Sequence, residues 1–391
     1  MNLKNSKIHI DMRQYGMIIV LIAIFLLFSL LTGGINASAM NINNLMMQNG
    51  YIIILSVGML LCVLTGNIDL GVGSVVAVSG AVSAIMIVDL NLPIAVGFLM
   101  ALVVGCAFGL FVGFFVAYLG VPPFIVTLAT MLIGRGLTYT VLRAQTKGPL
   151  PDSYTWVGAG CIPSHKIGIF GSQLDIISIL IAVIVTGLII FNVFNENKKR
   201  KHYGFETEQI WQEIITNGVI IALLWYIMLK FASYKGIPNV MVLTVIVIIF
   251  YHFITQHTVY GRDIYALGGN RKAAQLSGVN TKRVFFWVYA NMGLLSGLAG
   301  IVLTARNASA TPKAGDGFEL DAIAACYIGG AAVSGGAGTI IGAVVGALIM
   351  GILNNGMSLC GMSTDIQKIV KGLVLLGAVT VDLLSKQNKT K

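Results

Sequence analysis

Five ionisable residues sit where a charge is costly. Asp69, Arg135, Asp321, Lys368 and Lys371 fall inside or beside long apolar runs. A charge there needs a partner, water or a task, because hydrocarbon solvates it poorly. Asp69 and Asp321 each open a segment at a glycine-rich break, where the positive end of a helix favours an acid. They suit helix capping, contact with a translocated ligand, or carriage of a proton. Lys368 and Lys371, three apart on one helix face, suit pairing with acids or snorkelling. Asn67, Asn291, Asn354 and Asn355 place amides near the same breaks, and Ser74 follows Asp69 closely. Amides hydrogen-bond neutral polyols, and they also join helices. Together these residues outline a candidate translocation pathway.

Catalysis has less support. Nothing in the sequence sets a nucleophile or a group of metal ligands beside the two aspartates. G-x-x-x-x-G-K-[ST], G-x-S-x-G and H-E-x-x-H are all missing. Gly268-Gly269-Asn270 follows no predicted strand and completes no dinucleotide fingerprint. The five histidines occupy polar or boundary positions, and the five cysteines include no C-x-x-C pair. Neither zinc nor a disulfide framework is indicated. The reading is therefore a non-enzyme with no catalytic residue, metal or cofactor of its own. Energy for any transport must enter from a partner or an ion gradient.

The elements that hold these residues are membrane helices. Of 391 residues, 57% are hydrophobic and 10% charged, against about 25% charged in soluble domains. The 46 glycines exceed the ordinary share of about 7% and allow helices to approach closely or to break. The net charge of +10 comes from basic residues in short loops. That is the positive-inside pattern, so nucleic acid is not an expected partner and the lipid bilayer is. The spacing of apolar runs predicts an all-α polytopic protein with about 11–12 transmembrane or half-membrane helices, some broken. The whole chain, 1–391, reads as one transmembrane domain. The N-terminus imitates a signal peptide, with Lys4, Lys7 and Arg13 before an apolar run from Gly16 to Thr32. That run is longer than a signal core, and more spans follow, so it reads as an uncleaved first helix.

Charge sets the expected topology. Segments 1–15, 195–212, 256–283 and 385–391 hold 15 Lys and Arg, whereas 143–174, 230–238 and 305–320 hold 7 and the connector 33–50 none. The first group, with both tails, is expected in the cytoplasm. A faint internal repeat is also visible. Ile68-Asp69-Leu70, Gly105/Gly109/Gly113 and Gly134-Arg135-Gly136-Leu137 form one half. Glu319-Leu320-Asp321, Gly329-Gly330, Gly342/Gly346 and Lys371-Gly372-Leu373 form the other. The halves run in opposite senses, the weak inverted repeat of a transporter.

One cytoplasmic stretch is more than a connector. Residues 256–283 carry Arg262, Arg271, Lys272, Lys282 and Arg283 against Asp263 alone. Asn270 is placed to cap a short helix over Lys272 to Leu276, and Gly278 to end it. Such an element can pass a partner's movement to the spans on either side.

Three motifs carry a resemblance. Asn67-Ile68-Asp69-Leu70-Gly71-Val72-Gly73-Ser74 is the first. The second is Tyr265-Ala266-Leu267-Gly268-Gly269-Asn270 with Ala273-Ala274 and Leu276-Ser277-Gly278, and the third Glu319-Leu320-Asp321-Ala322-Ile323-Ala324-Ala325. In this order they resemble the permease subunits of bacterial monosaccharide ABC importers, the ribose/xylose/galactose group, over nearly the whole chain. The family commonly has Ser where this chain has Gly71. Residues 195–238 look like the inserted cytoplasmic loop and extra span of xylose and multiple-monosaccharide permeases. Gln145-Thr146-Lys147-Gly148-Pro149-Leu150-Pro151 resembles the multiple-monosaccharide branch most. The resemblance implies a homodimer in the bacterial inner membrane, a cytoplasmic ATPase that uses ATP and Mg, and an extracytoplasmic sugar-binding protein. It also implies that Tyr260 to Gly278 is the coupling region. Its contacts would come from Tyr260, Gly261, Arg262, Tyr265, Gly268, Gly269, Asn270, Ala273, Ala274, Ser277 and Gly278. The rival reading is a proton-coupled secondary sugar transporter, with Asp69 or Asp321 carrying the proton.

Overall fold

The structure, a computed structural model, describes residues 12–169, 172–202 and 210–387. Lys4 and Lys7, part of the loop 195–212 and the last four residues lie outside the described residues. The chain is helical: α1 (Met12–Leu31), α2 (Ala39–Leu64), α3 (Val72–Val88), α4 (Ile94–Ala117) and α5 (Pro123–Val141) come first. Then follow α6 (Asp152–Ala159), a two-stranded antiparallel hairpin of β1 (Lys166–Ile169) and β2 (Ser172–Asp175), α7 (Ile176–His202), α8 (Ile210–Ala232) and α9 (Asn239–His257). The last group is α10 (Val259–Gly269), α11 (Arg271–Leu276), α12 (Thr281–Asn307), α13 (Phe318–Ile328), α14 (Ile340–Leu359) and α15 (Thr364–Gln387). Seven of these are long and apolar enough to cross a membrane: α2, α4, α5, the Ile176–Asn195 part of α7, α9, α12 and α14. Shorter apolar helices at Gly16–Leu31, Val72–Val88 and Asn217–Ala232 add to them.

Local chemistry sets the boundaries. Pro93, Pro122 and Pro238 precede α4, α5 and α9, where a missing N–H costs nothing. Ser38, Thr258, Asn270, Asn280 and Thr339 accept a backbone N–H three residues on and so cap α2, α10, α11, α12 and α14.

α2 lies at the centre, with 94% of its membrane window buried, whereas α7 has 11% buried and faces outward. α12 packs on α3 and α4, and α2 packs on α13 and α14. Each half of the chain therefore surrounds the central helix of the other. Glycine makes the α4–α12 seam. A Cβ on Gly105 would sit 2.8 Å from Gly297 Cα, and one on Gly293 would sit 2.6 Å from Gly109 Cα. Lipid offers helices no hydrophobic reason to associate, so such close backbone packing supplies the contact.

The expected outer segments gather at one end. Lys147 pairs with Ala310, and Cys161 with Pro238, in isolated bridges. Lys147 Nζ also meets Asp89 at 2.9 Å. α10 and α11 lie at the opposite end, separated by the length of α12. The stretch 143–174 is read from sequence only as a long polar loop; it contains α6 and all of the hairpin but Asp175.

Candidate functional site

Two broken helices meet at mid-depth. α13 has 11 residues, about 16 Å of helix against a hydrocarbon core of about 30 Å. Phe318 at its start stacks on Tyr51, halfway along α2, with ring centroids 4.6 Å apart. From there α13 runs to the α10 end. α3 runs from the same depth to the α6 end. Their starts touch: a Cβ on Gly73 would overlap the Gly315 carbonyl oxygen and a Glu319 carboxylate oxygen. Two positive helix ends thus converge inside the bundle, a geometry that attracts electron-rich groups.

The predicted pathway residues divide among three places. Asp69 and Ser74 lie at the junction, both buried. Asp69 Oδ1 accepts the Gly71 N–H at 2.8 Å and so holds the turn that launches α3. Ser74 Oγ and Glu319 Oε2 are buried without a hydrogen-bond partner. Asn67 stays local, its amide donating to Thr65 Oγ1 at 3.2 Å. Asp321 behaves differently from a cap. It lies within α13, and Lys371 Nζ of α15 donates to its Oδ2 at 2.9 Å, with Asn354 Nδ2 at 3.4 Å. Asp321 is 3% exposed and Lys371 25%, so this is a buried ion pair tying α15 to α13. Lys368 forms an exposed pair with Asp316 at 3.0 Å. Both lysines therefore pair with acids.

The other two asparagines join helices. Asn355 of α14 exchanges amide hydrogen bonds with Asn41 of α2 at 2.9 and 3.1 Å, and also donates to Gln48 Oε1. Asn291 of α12 accepts from Tyr251 of α9 at 3.0 Å. Arg135 donates to the carbonyl oxygens of Pro312 and Ala314 at 3.3 and 2.6 Å and holds the succession of turns before α13. Among the described residues no Lys or Arg pairs with Asp69, and no group of His, Cys, Asp and Glu is arranged to hold a metal. The junction therefore gathers buried hydroxyl, carboxylate and backbone N–H groups at one depth. Glu319 belongs with these groups, and its place in Glu319-Leu320-Asp321 is the signal for it.

The second region is the α10–α11 hairpin. Thr258 and Asn270 cap its two helices, at 3.2 and 3.0 Å, and Gly278 ends it with φ +89°. The named coupling residues split by face. Gly261, Gly268 and Ala274 turn inward: Gly261 lies against the Ile254 and Thr255 carbonyls, Gly268 against Leu64, and Ala274 is buried. Tyr260 is half-buried beside a cavity of about 510 Å³ between α10 and α12. Tyr265 is half-buried and donates to Gly338 O at 2.7 Å. Arg262, Gly269, Asn270, Ala273, Ser277 and Gly278 are exposed. Leu276 is 90% exposed, a large apolar side chain at the tip of a polar hairpin. Sequence reading takes it as a helix former and a member of the Leu276-Ser277-Gly278 motif, not as a contact.

Comparison with known proteins now assigns the class. Residues 41–186 and 159–379 match the family described as branched-chain amino acid transport system / permease component, and the chain belongs to that family. It is thus a multi-pass permease component of a transport system, of the kind that works with an ATPase and a binding protein. Among its relatives, the xylose transport system permease protein of Escherichia coli (strain K12) is 36% identical over 384 residues, 97% of this chain and 93% of the relative. The xylose transport system permease protein of Haemophilus influenzae is 34% identical over 378 residues, 97% of this chain and 98% of the relative. The ribose import permease protein of Escherichia coli (strain K12) is 36% identical over 347 residues, 88% of this chain and 85% of the relative. No solved structure matches the chain.

Proposed function

We propose that this chain is the membrane permease subunit of an ATP-driven importer for a monosaccharide such as xylose, arabinose or galactose. It lies in the bacterial inner membrane as a homodimer with both tails in the cytoplasm. An extracytoplasmic binding protein delivers the sugar to the α6 end. A cytoplasmic ATPase, which uses ATP and Mg, docks at the α10–α11 end. The sugar passes near the α3–α13 junction, where Asp69, Ser74 and Glu319 offer weak polar contacts. Delivery by a binding protein removes the need for a tight site in the membrane.

The observation that carries this reading is the α10–α11 hairpin. It is capped at both helix starts, anchored by Gly261, Gly268 and Ala274, and exposes an apolar tip at Leu276. Covering that leucine against a protein partner would remove its apolar surface from water. Gly269 is the clean probe, because a side chain there meets nothing within 4 Å. Gly269→Phe should leave the chain folded, block co-purification of the ATPase and abolish coupled uptake. If association and uptake both persist, the docking assignment is wrong.

A further inference from the structure

Three backbones converge beneath α10. α2 ends at Leu64, whose carbonyl has no partner within its own helix. Gly336, in the loop 329–339 between α13 and α14, donates its N–H to that carbonyl at 2.9 Å. Gly268 of α10 covers the same group: a Cβ on Gly268 would overlap the Leu64 oxygen and sit 2.5 Å from Gly336 N. A Cβ on Gly336 would sit 2.8 Å from Gly269 Cα, and Gly336 has φ +74°, which side chains resist. Tyr265 adds a side-chain link, its hydroxyl donating to Gly338 O at 2.7 Å. Burial pushes the Tyr265 phenol up, so the hydroxyl remains a donor at physiological pH.

The far side of α10 is different. The cavity of about 510 Å³, lined by Tyr260, Asp263, Arg283 and Trp287 among others, separates it from the start of α12. α10 is therefore tight against the 329–339 loop and loose against α12. The loop joins α13 to α14, and those two helices are welded to each other beside it. A Cβ on Gly329 would overlap the Gly342 carbonyl, and one on Gly346 the Ala325 carbonyl. Contacts this close leave no slack, so α13 and α14 move as one body with the loop that connects them. The other end of α13 is the junction with α3.

We propose that Tyr265 and the Gly268–Gly336 contact form the joint through which movement of α10–α11 reaches the half-helix α13. The proposal rests on the docking reading above, and it makes Tyr265 a positioning residue, not an ATPase contact. Hydrogen exchange on the full chain assembled with its ATPase tests it, with and without ATP plus vanadate. In the parent complex, nucleotide should change exchange in α10–α11 and in the 329–338 amides together. In Tyr265→Phe, which keeps the ring, ATPase association and the α10–α11 response should persist. The response of the 329–338 amides should fall by about three- to tenfold, the factor one hydrogen bond supports. An undiminished loop response in the variant overturns the joint, as does a silent loop in the parent whose α10–α11 responds. Loss of ATPase association in Tyr265→Phe also overturns it, since Tyr265 would then belong to the docking face. If α10–α11 itself ignores nucleotide in the parent, the docking reading fails and the joint with it. Gly336→Ala, strained at the same joint, should repeat the loop defect without touching the exposed face of α11.

Discussion

Leu276 gives the most direct handle on the docking surface. Its side chain is 90% exposed at the tip of α11, so it contributes little to the isolated fold. Covering a leucine fully is worth about 1.5–3 kcal/mol. At about 1.4 kcal/mol per factor of ten, replacing Leu276 with Asp should weaken ATPase association roughly 10–100-fold. Thermal stability of the purified chain should not change, because the lost contacts are with the partner. The assay is the affinity of the detergent-solubilised chain for the ATPase subunit, measured with the parent and with Leu276→Asp. Ile167→Asp provides the control: Ile167 is 48% exposed on β1, at the α6 end far from α11 and outside the spans, and its replacement should leave ATPase affinity alone. Equal affinities for parent and Leu276→Asp would refute the reasoning. A comparable loss in Ile167→Asp would refute it too.

Other consequences follow from the bundle. Lys371→Ala strands the buried Asp321 carboxylate and should cost about 3–5 kcal/mol, read as a fall in melting temperature in detergent. Asp321→Asn should cost less, since Lys371 is less buried than Asp321 and the amide oxygen can still accept from it, and Asp321→Asn with Lys371→Met should recover most of the loss. Gly105→Leu drives a side chain into the Gly293 and Gly297 backbone. It should cost at least the 1–3 kcal/mol of an overpacked core and yield aggregated or degraded chain by size-exclusion chromatography.

Much of the architecture is legible in the sequence because membrane helices announce themselves by length and apolarity. The α11 cap at Asn270 and its stop at Gly278 are legible for the same reason: they depend on neighbours three residues away. Pairings across the chain are not legible. Asn41 and Asn355 are 314 residues apart, and nothing local marks them as partners. Asp321 reads as a possible cap because it follows a glycine-rich stretch, and only the placement of α15 supplies Lys371. The glycines of α4 show that a close neighbour exists without saying that it is α12. The inverted repeat is faint in sequence, since the two halves share only scattered residues. In the structure the starts of α3 and α13, one from each half, meet at Gly73 and Gly315. Gly268 and Leu276 look alike as members of one motif, yet one faces Leu64 and the other faces solvent. A short helix has too few turns for its sequence to tell its faces apart.

The source of energy is the central claim. The chain should be reconstituted in vesicles with its ATPase and binding protein, and uptake of labelled D-xylose followed with and without ATP and a protonophore. The account predicts uptake that requires ATP and survives collapse of the proton gradient. Uptake that proceeds without ATP and disappears with the protonophore would contradict it and would move Asp69, a buried acid that no Lys or Arg pairs with among the described residues, to the centre of a proton-coupled mechanism.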